Sequence, residues 1–254
     1  MTRTANMIAL AVLAMTPVSA QEQGNPRNVL VVLAHPDDEL VIAPALAAMR
    51  RDGAQVRIAF ATSGDAGPGE SGMAPGAELA QVREGEARCS AAALGLGEPE
   101  FWRLGDGTLG SSARGPDSPA AQVLARIGAA IAANRPGMVI TWGPDGGYGH
   151  VDHRMVSALT VQAAQAMPEA ERPIMLHPAI RTGTAPAIPQ LESWATTAPE
   201  LVQYGLAYTP ADLAAAKTAA ACHVTQFDEA SRAGMMPLFD ATIWQGKVHF
   251  RRAF

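Results

Sequence analysis

Eleven consecutive residues constrain this chain more than any others: Val29-Leu30-Val31-Val32-Leu33-Ala34-His35-Pro36-Asp37-Asp38-Glu39. The valine-rich run reads as a strand buried on both faces, the pattern of a parallel sheet. It delivers a histidine and three carboxylates with no room for a surface loop. Buried carboxylates repel one another and lose their hydration, so they need a cationic partner or they take up protons. A divalent metal ion meets that need. Pro36 keeps His35 extended, so the chain turns only afterwards. From these residues alone, an ordinary alternative stays open: Asp37 or Asp38 as a helix N-cap, with His35 as a hydrogen-bonded histidine at the strand end.

The rest of the chain alternates strand and helix patterns. Glu39–Arg51 reads as a helix ending at Asp52-Gly53, and Gln55–Ala61 as a second strand. Thr62–Gly76 is a long glycine-rich acidic loop, of a length that is usually functional. It has neither dinucleotide-binding nor phosphate-loop spacing. Helical periodicity follows over Ala77–Leu94 and Ser118–Asn134, with strands at Phe101–Leu104 and Met138–Trp142. Strands separated by such helices predict an α/β, Rossmann-like three-layer fold with a mostly parallel central sheet. Ligands on such sheets sit at the carboxyl ends of the strands, where strand order reverses.

A second polar stretch leaves the fourth strand: Gly143-Pro144-Asp145-Gly146-Gly147-Tyr148-Gly149-His150-Val151-Asp152-His153. His150 and His153, spaced i and i+3 at a helix start, face the same way. Asp152 can accept a ring N–H and orient one imidazole. If the fourth strand lies beside the first, the two histidine clusters converge.

The residues 1–20 stand apart. Arg3, the apolar run Met7–Met15, Pro17 and the small residues Val18-Ser19-Ala20 read as a signal peptide cut near Ala20. Export to the periplasm or medium is expected, without a membrane anchor, followed by a linker over 21–27 and one domain over 28–254. Apolar residues make up 48% of the chain and the net charge is −5, which excludes a basic nucleic-acid surface. An exported protein could join its two cysteines, Cys89 and Cys222, but two in a chain this large are no disulfide framework, and both lie in helical patterns and read as buried thiols.

Ala34-His35-Pro36-Asp37-Asp38-Glu39 together with Tyr148-Gly149-His150-Val151-Asp152-His153 resembles the PIG-L/LmbE-like zinc N-deacetylases. Arg83-x-x-Glu86, Ala91–Gly95, Asp106-Gly107 and the segment from Lys217 to Gln226 are similar to further parts of that family's pattern. Val151 departs from it, since proline is more usual there. The resemblance implies one zinc ion per chain held by His35, Asp38 and His153, and Asp37 as general base. It also implies that His150, oriented by Asp152, and Tyr148 assist at the oxyanion or the leaving amine. Arg83 and Asp106 are candidates for gripping sugar hydroxyls, and Trp194, Tyr204 and Tyr208 for stacking on a sugar. The expected activity is removal of an acetyl group from an N-acetylated amino sugar or glycoconjugate. Two alternatives use the same scaffold: an amidase for a non-sugar amide, and a non-catalytic carbohydrate- or metal-binding export protein. The expected partner is a small molecule or glycan.

Overall fold

Alternation along the first strand decides how the layers form. In the computed structural model, which describes residues 25–111 and 115–254, the strand β1 (Asn25–Leu33) lies at the centre of one sheet. Val29, Val31 and Leu33 point into one apolar core, while Leu30, Val32 and Ala34 point into another. Both faces of the strand are therefore covered, as its near-continuous apolar run requires.

Parallel neighbours flank β1 on each side, β2 (Gln55–Thr62) and β4 (Pro136–Thr141). Adding β3 (Glu100–Leu104), β5 (Ile174–Pro178), β6 (Tyr204–Ala207) and β7 (Lys247–Arg252) gives the order β3-β2-β1-β4-β5-β7-β6. The last two strands are antiparallel additions at one edge. This is the expected mostly parallel α/β sheet. The order reverses between β1 and β4, so their carboxyl ends frame a crevice.

Helices α1 (Ala43–Arg51), α2 (Ala77–Ala93), α5 (Pro210–Cys222) and α6 (Glu229–Phe239) supply the first core, and α3 (Pro119–Asn134) and α4 (Val151–Gln165) the second. Helix α2 is unusual because Arg83, Glu86 and Ser90 lie on its buried face beside Ala87. None of the helices among the described residues is long and apolar enough to cross a membrane.

Three expectations need correction. The helix expected from Glu39 starts at Ala43, and Asp38–Ile42 is a 3-10 turn instead. Pro44 in the first turn explains the boundary, because it has no N–H to give and its ring excludes a carbonyl four residues earlier. The first strand begins at Asn25, inside the expected linker, and changes register before Val29. The expected signal peptide lies outside the described residues.

The third correction concerns the cysteines. Helices α2 and α5 pack together and bring Cys89 and Cys222 into a disulfide, with Cα atoms 5.8 Å apart and 133 residues between them. Cys89 is exposed and Cys222 half-buried, so neither is a buried thiol. A pairing over so long a separation leaves no local mark in the sequence. Replacing both by serine should lower stability by about 2–5 kcal/mol, read as a fall in Tm; an unchanged Tm would show that the bridge contributes nothing.

Candidate active site

At the carboxyl end of β1 the backbone turns through Asp37, whose φ of 97° is rare for any residue but glycine. Aspartate and asparagine tolerate this region better than most side chains. The turn points the Asp38 side chain back under the strand end. Its Oδ2 accepts three N–H groups, from Ala34 (2.9 Å), His35 (3.0 Å) and the Trp142 indole (2.9 Å). The other oxygen, Oδ1, lies 3.0 Å from His153 Nε2.

The hydrogen bonds around the two imidazoles fix their tautomers. His153 Nδ1 faces the Gly146 carbonyl at 3.1 Å and must donate to it, which leaves Nε2 bare. His35 Nε2 faces Asp106 Oδ1 at 3.0 Å and Asp152 Oδ2 at 3.4 Å, both acceptors, so that nitrogen carries hydrogen. The two remaining nitrogens, His35 Nδ1 and His153 Nε2, are 3.1 Å apart. Two lone pairs and a carboxylate oxygen thus converge at one buried spot with no hydrogen supplied by the neutral groups. Such a donor set fits a divalent cation of the zinc type, and otherwise has to capture a proton. Burial pulls the His35 pKa down, but hydrogen bonds to Asp106, Asp152 and Asp38 outweigh it and hold it well above the usual histidine value. Burial pushes the Asp38 carboxyl up, and the His153 and His35 rings overcome this to hold it well below the carboxylate range.

Among the described residues two donor groupings meet here, His35 with His150 and His153, and His35 with Asp106 and Asp152. The second is already satisfied by the hydrogen on His35 Nε2. In the first, His150 caps α4 with Nδ1 accepting the Asp152 backbone N–H at 3.2 Å, so only its Nε2 edge is free. Asp38 contributes the negative charge that a third imidazole lacks.

Asp37 lies beside this cluster without touching it. Its Oδ2 accepts from Arg83 Nη2 at 3.1 Å. Burial pushes its carboxyl up to about 6, against the opposing pull of Arg83. Arg83 is buried, and its Nη1 and Nη2 also donate to the carbonyls of Pro36, Gly64 and Gly67. Only glycine fits at position 64, where a Cβ would stand 2.2 Å from the guanidinium. Both expected sugar-gripping residues are therefore turned onto the protein: Arg83 onto Asp37, and Asp106 onto His35 and the Ala66 N–H.

Asp152 also differs in detail from expectation. Its carboxylate accepts from the Gly107 (2.7 Å) and Leu109 (3.1 Å) backbone and faces His35, so it orients that ring and reaches His150 only through its backbone N–H. The His150 pKa is lowered by burial and by its histidine neighbours, which favours a neutral ring able to donate from Nε2. Tyr148 stands half-exposed over the site, with its ring 5.3 Å from His153 and 5.4 Å from Trp194. Burial and the nearby carboxylates Asp38 and Asp37 raise its pKa, so the phenol keeps its hydrogen. Tyr204 and Tyr208 lie elsewhere, bonded to Arg252 and Asp240.

In the sequence Trp142 reads only as a strand residue. It stacks flat on His153, with centroids 4.4 Å apart and planes 5° from parallel, and its indole N–H holds Asp38. Its position at the carboxyl end of β4 was the available signal. Gly147 allows this stack, since a Cβ there would stand 2.8 Å from the indole ring. A cavity of about 680 Å³ opens beside Asp37 and Asp38, with Leu191, Trp194, Phe227, Met235 and Phe239 among its walls.

The family model described as GlcNAc-PI de-N-acetylase, PIG-L, matches residues 30–164, more than half of the chain. The chain belongs to the PIG-L family. Its relatives include the 1D-myo-inositol 2-acetamido-2-deoxy-alpha-D-glucopyranoside deacetylase of Rhodococcus jostii, 36% identical over 170 residues. That alignment covers 58% of this chain and 56% of the relative, so the chain spans little more than half of that enzyme's length. The protein of the same name from Mycolicibacterium gilvum is 32% identical over 200 residues, covering 70% of each chain. Among solved structures, the N,N'-diacetylchitobiose deacetylase of Pyrococcus horikoshii matches with a TM-score of 0.62 at 17% identity, over 91% of this chain and 86% of that one. That likeness establishes a shared fold, and the PIG-L match places both histidine motifs within the family segment.

Proposed function

We propose that this PIG-L protein is a zinc-dependent hydrolase that removes the acetyl group from an N-acetylated amino sugar or glycoconjugate. The observation that carries the reading is the meeting of His35, His153 and Asp38 at one buried point, with the Asp37 carboxylate left beside it. His35, Asp38 and His153 would hold the metal. When bound, zinc supplies Lewis acidity toward the amide carbonyl and makes water a stronger acid.

The chain's own groups do the rest. Asp37, held by Arg83, accepts a proton from the attacking water. His150 Nε2–H and the Tyr148 hydroxyl donate hydrogen bonds to the oxygen that gains charge as the carbonyl carbon becomes tetrahedral. The C–N bond then breaks, and the proton held by Asp37 passes to the departing nitrogen. Water is consumed, and acetate and a free amine are released. The faces of Tyr148 and Trp194 suit stacking on a sugar ring.

The apolar walls of the adjoining cavity favour a second reading at the same site, hydrolysis of a non-sugar amide with an apolar substituent. A panel of acetamides with and without a sugar separates the two. The first predicts acetate from N-acetylglucosamine-containing compounds, and absence of acetate from all of them would exclude it. The disulfide between α2 and α5 supports an oxidising location such as the periplasm, in line with the expected signal peptide.

Trp142→Phe gives a sharper test of the metal assignment. The variant keeps a ring over His153 and removes the donor on Asp38. Zinc affinity should fall about 10- to 100-fold in a competition titration, and an unchanged affinity would remove Trp142 from the metal's support.

A further inference from the structure

Glu39 is fully buried, and its two oxygens face different tasks. Oε2 accepts the backbone N–H of Asp37 at 3.0 Å. Oε1 accepts from Ser90 Oγ at 2.5 Å and His223 Nε2 at 2.6 Å. Asp37 has φ 97° and ψ −21°, a conformation that a non-glycine residue keeps only when its surroundings enforce it. The bond from Glu39 closes on that residue's own N–H.

The two donors on Oε1 come from different helices. Ser90 directly follows Cys89 on α2, and His223 directly follows Cys222 at the end of α5. The Cys89–Cys222 bond therefore joins the residues immediately preceding the two groups that hold Glu39. A second tie runs parallel to it: Glu86 on α2 accepts from the Thr225 N–H (2.7 Å) and hydroxyl (2.6 Å). Loss of the disulfide alone should thus loosen the Ser90–His223 spacing while the helices stay packed.

We infer that Glu39 is a positioning residue for the Asp37 carboxylate, and that the Cys89–Cys222 cross-link sets the spacing of the two groups that hold Glu39. The inference rests on Asp37 being the base of the proposed reaction. Tyr148 and Trp194, the aromatic groups that would stack on the substrate, lie outside this relay. Disturbing it therefore slows turnover and leaves substrate binding alone.

The test uses Glu39→Gln and, separately, the double variant Cys89→Ser/Cys222→Ser, each as the zinc-loaded full chain below its unfolding temperature. An amide in place of the carboxylate turns a donor toward one of the N–H or O–H groups it should accept. In Glu39→Gln, kcat for acetate release should fall about 10- to 100-fold with KM within about twofold, as expected of a misplaced reacting group. The double variant should move kcat the same way by about three- to tenfold. Hydrogen exchange at the Asp37 amide, measured without substrate, should quicken in both variants. Unchanged exchange in both, or a kcat loss matched by an equal rise in KM, would overturn the inference. If Glu39→Gln does not fold, the double variant decides, since the Glu86–Thr225 tie remains in it. Full turnover in an Asp37→Asn control would instead overturn the base assignment, while the exchange result would still report on the relay.

Discussion

Asp37→Asn should reduce kcat about 10²- to 10⁴-fold while zinc content and substrate affinity stay close to those of the parent. Asparagine is the informative replacement. It has the same shape, it suits the left-handed backbone at this position, and its oxygen can still accept from Arg83. What it lacks is a site for the proton of the attacking water. Alanine would add two disturbances, a residue ill-suited to φ 97° and an Arg83 donor without its carboxylate, and so would confuse chemistry with structure. The measurement is steady-state acetate release alongside metal analysis. A variant with undiminished kcat would assign the base elsewhere, and one that lost its zinc would show that Asp37 belongs to the metal set. A protein that only binds carbohydrate predicts a third result, no turnover in the parent itself.

Removing the metal should have the other large effect. Dialysis against a chelator should abolish activity and lower Tm, and one equivalent of zinc should restore both. The stability change follows from linkage: a ligand present at about a thousandfold over its Kd stabilises the folded chain by about 4 kcal/mol. His35→Ala should imitate the stripped protein and resist rescue. It deletes one of the two bare nitrogens 3.1 Å apart and also leaves Asp106 and Asp152 facing each other without the ring N–H between them. Full zinc stoichiometry in this variant would exclude His35 as a ligand. Activity that survived exhaustive chelation would exclude the metal reading itself.

The sheet and the convergence of the two histidine motifs were legible because they rest on local patterns and one rule of topology. A valine run without polar interruption fits only a strand covered on both faces, and strand order reverses where the first and fourth strands meet. Other features depend on partners far away in the chain. His223 carries no local sign of its role, since its partner Glu39 lies 184 residues earlier. Arg83 and Asp106 are candidates for a sugar because a guanidinium is a donor fork and a carboxylate an acceptor, and neither property shows which protein groups they already meet. Packing of α2 and the turn after β3 points them inward, where Asp37 and His35 need a counter-charge. The helix start was misplaced because three acidic residues resemble a first helical turn, while Pro44 marks the true one. Of the expected stacking aromatics, Trp194 reaches the site because the irregular segment before β6 folds back over Trp142 and Tyr148.

The separation of 118 residues between His35 and His153 has a consequence for how the molecule matures. No fragment ending before α4 contains the complete donor set, and a refolding chain has none until β4 has docked alongside β1. Contacts of such long range form slowly, because much of the chain must be ordered before they are rewarded. If zinc is the ion held there, as proposed, its uptake becomes a clock for late assembly: in a refolding experiment it should lag behind the appearance of helix signal and coincide with closure of the centre of the sheet.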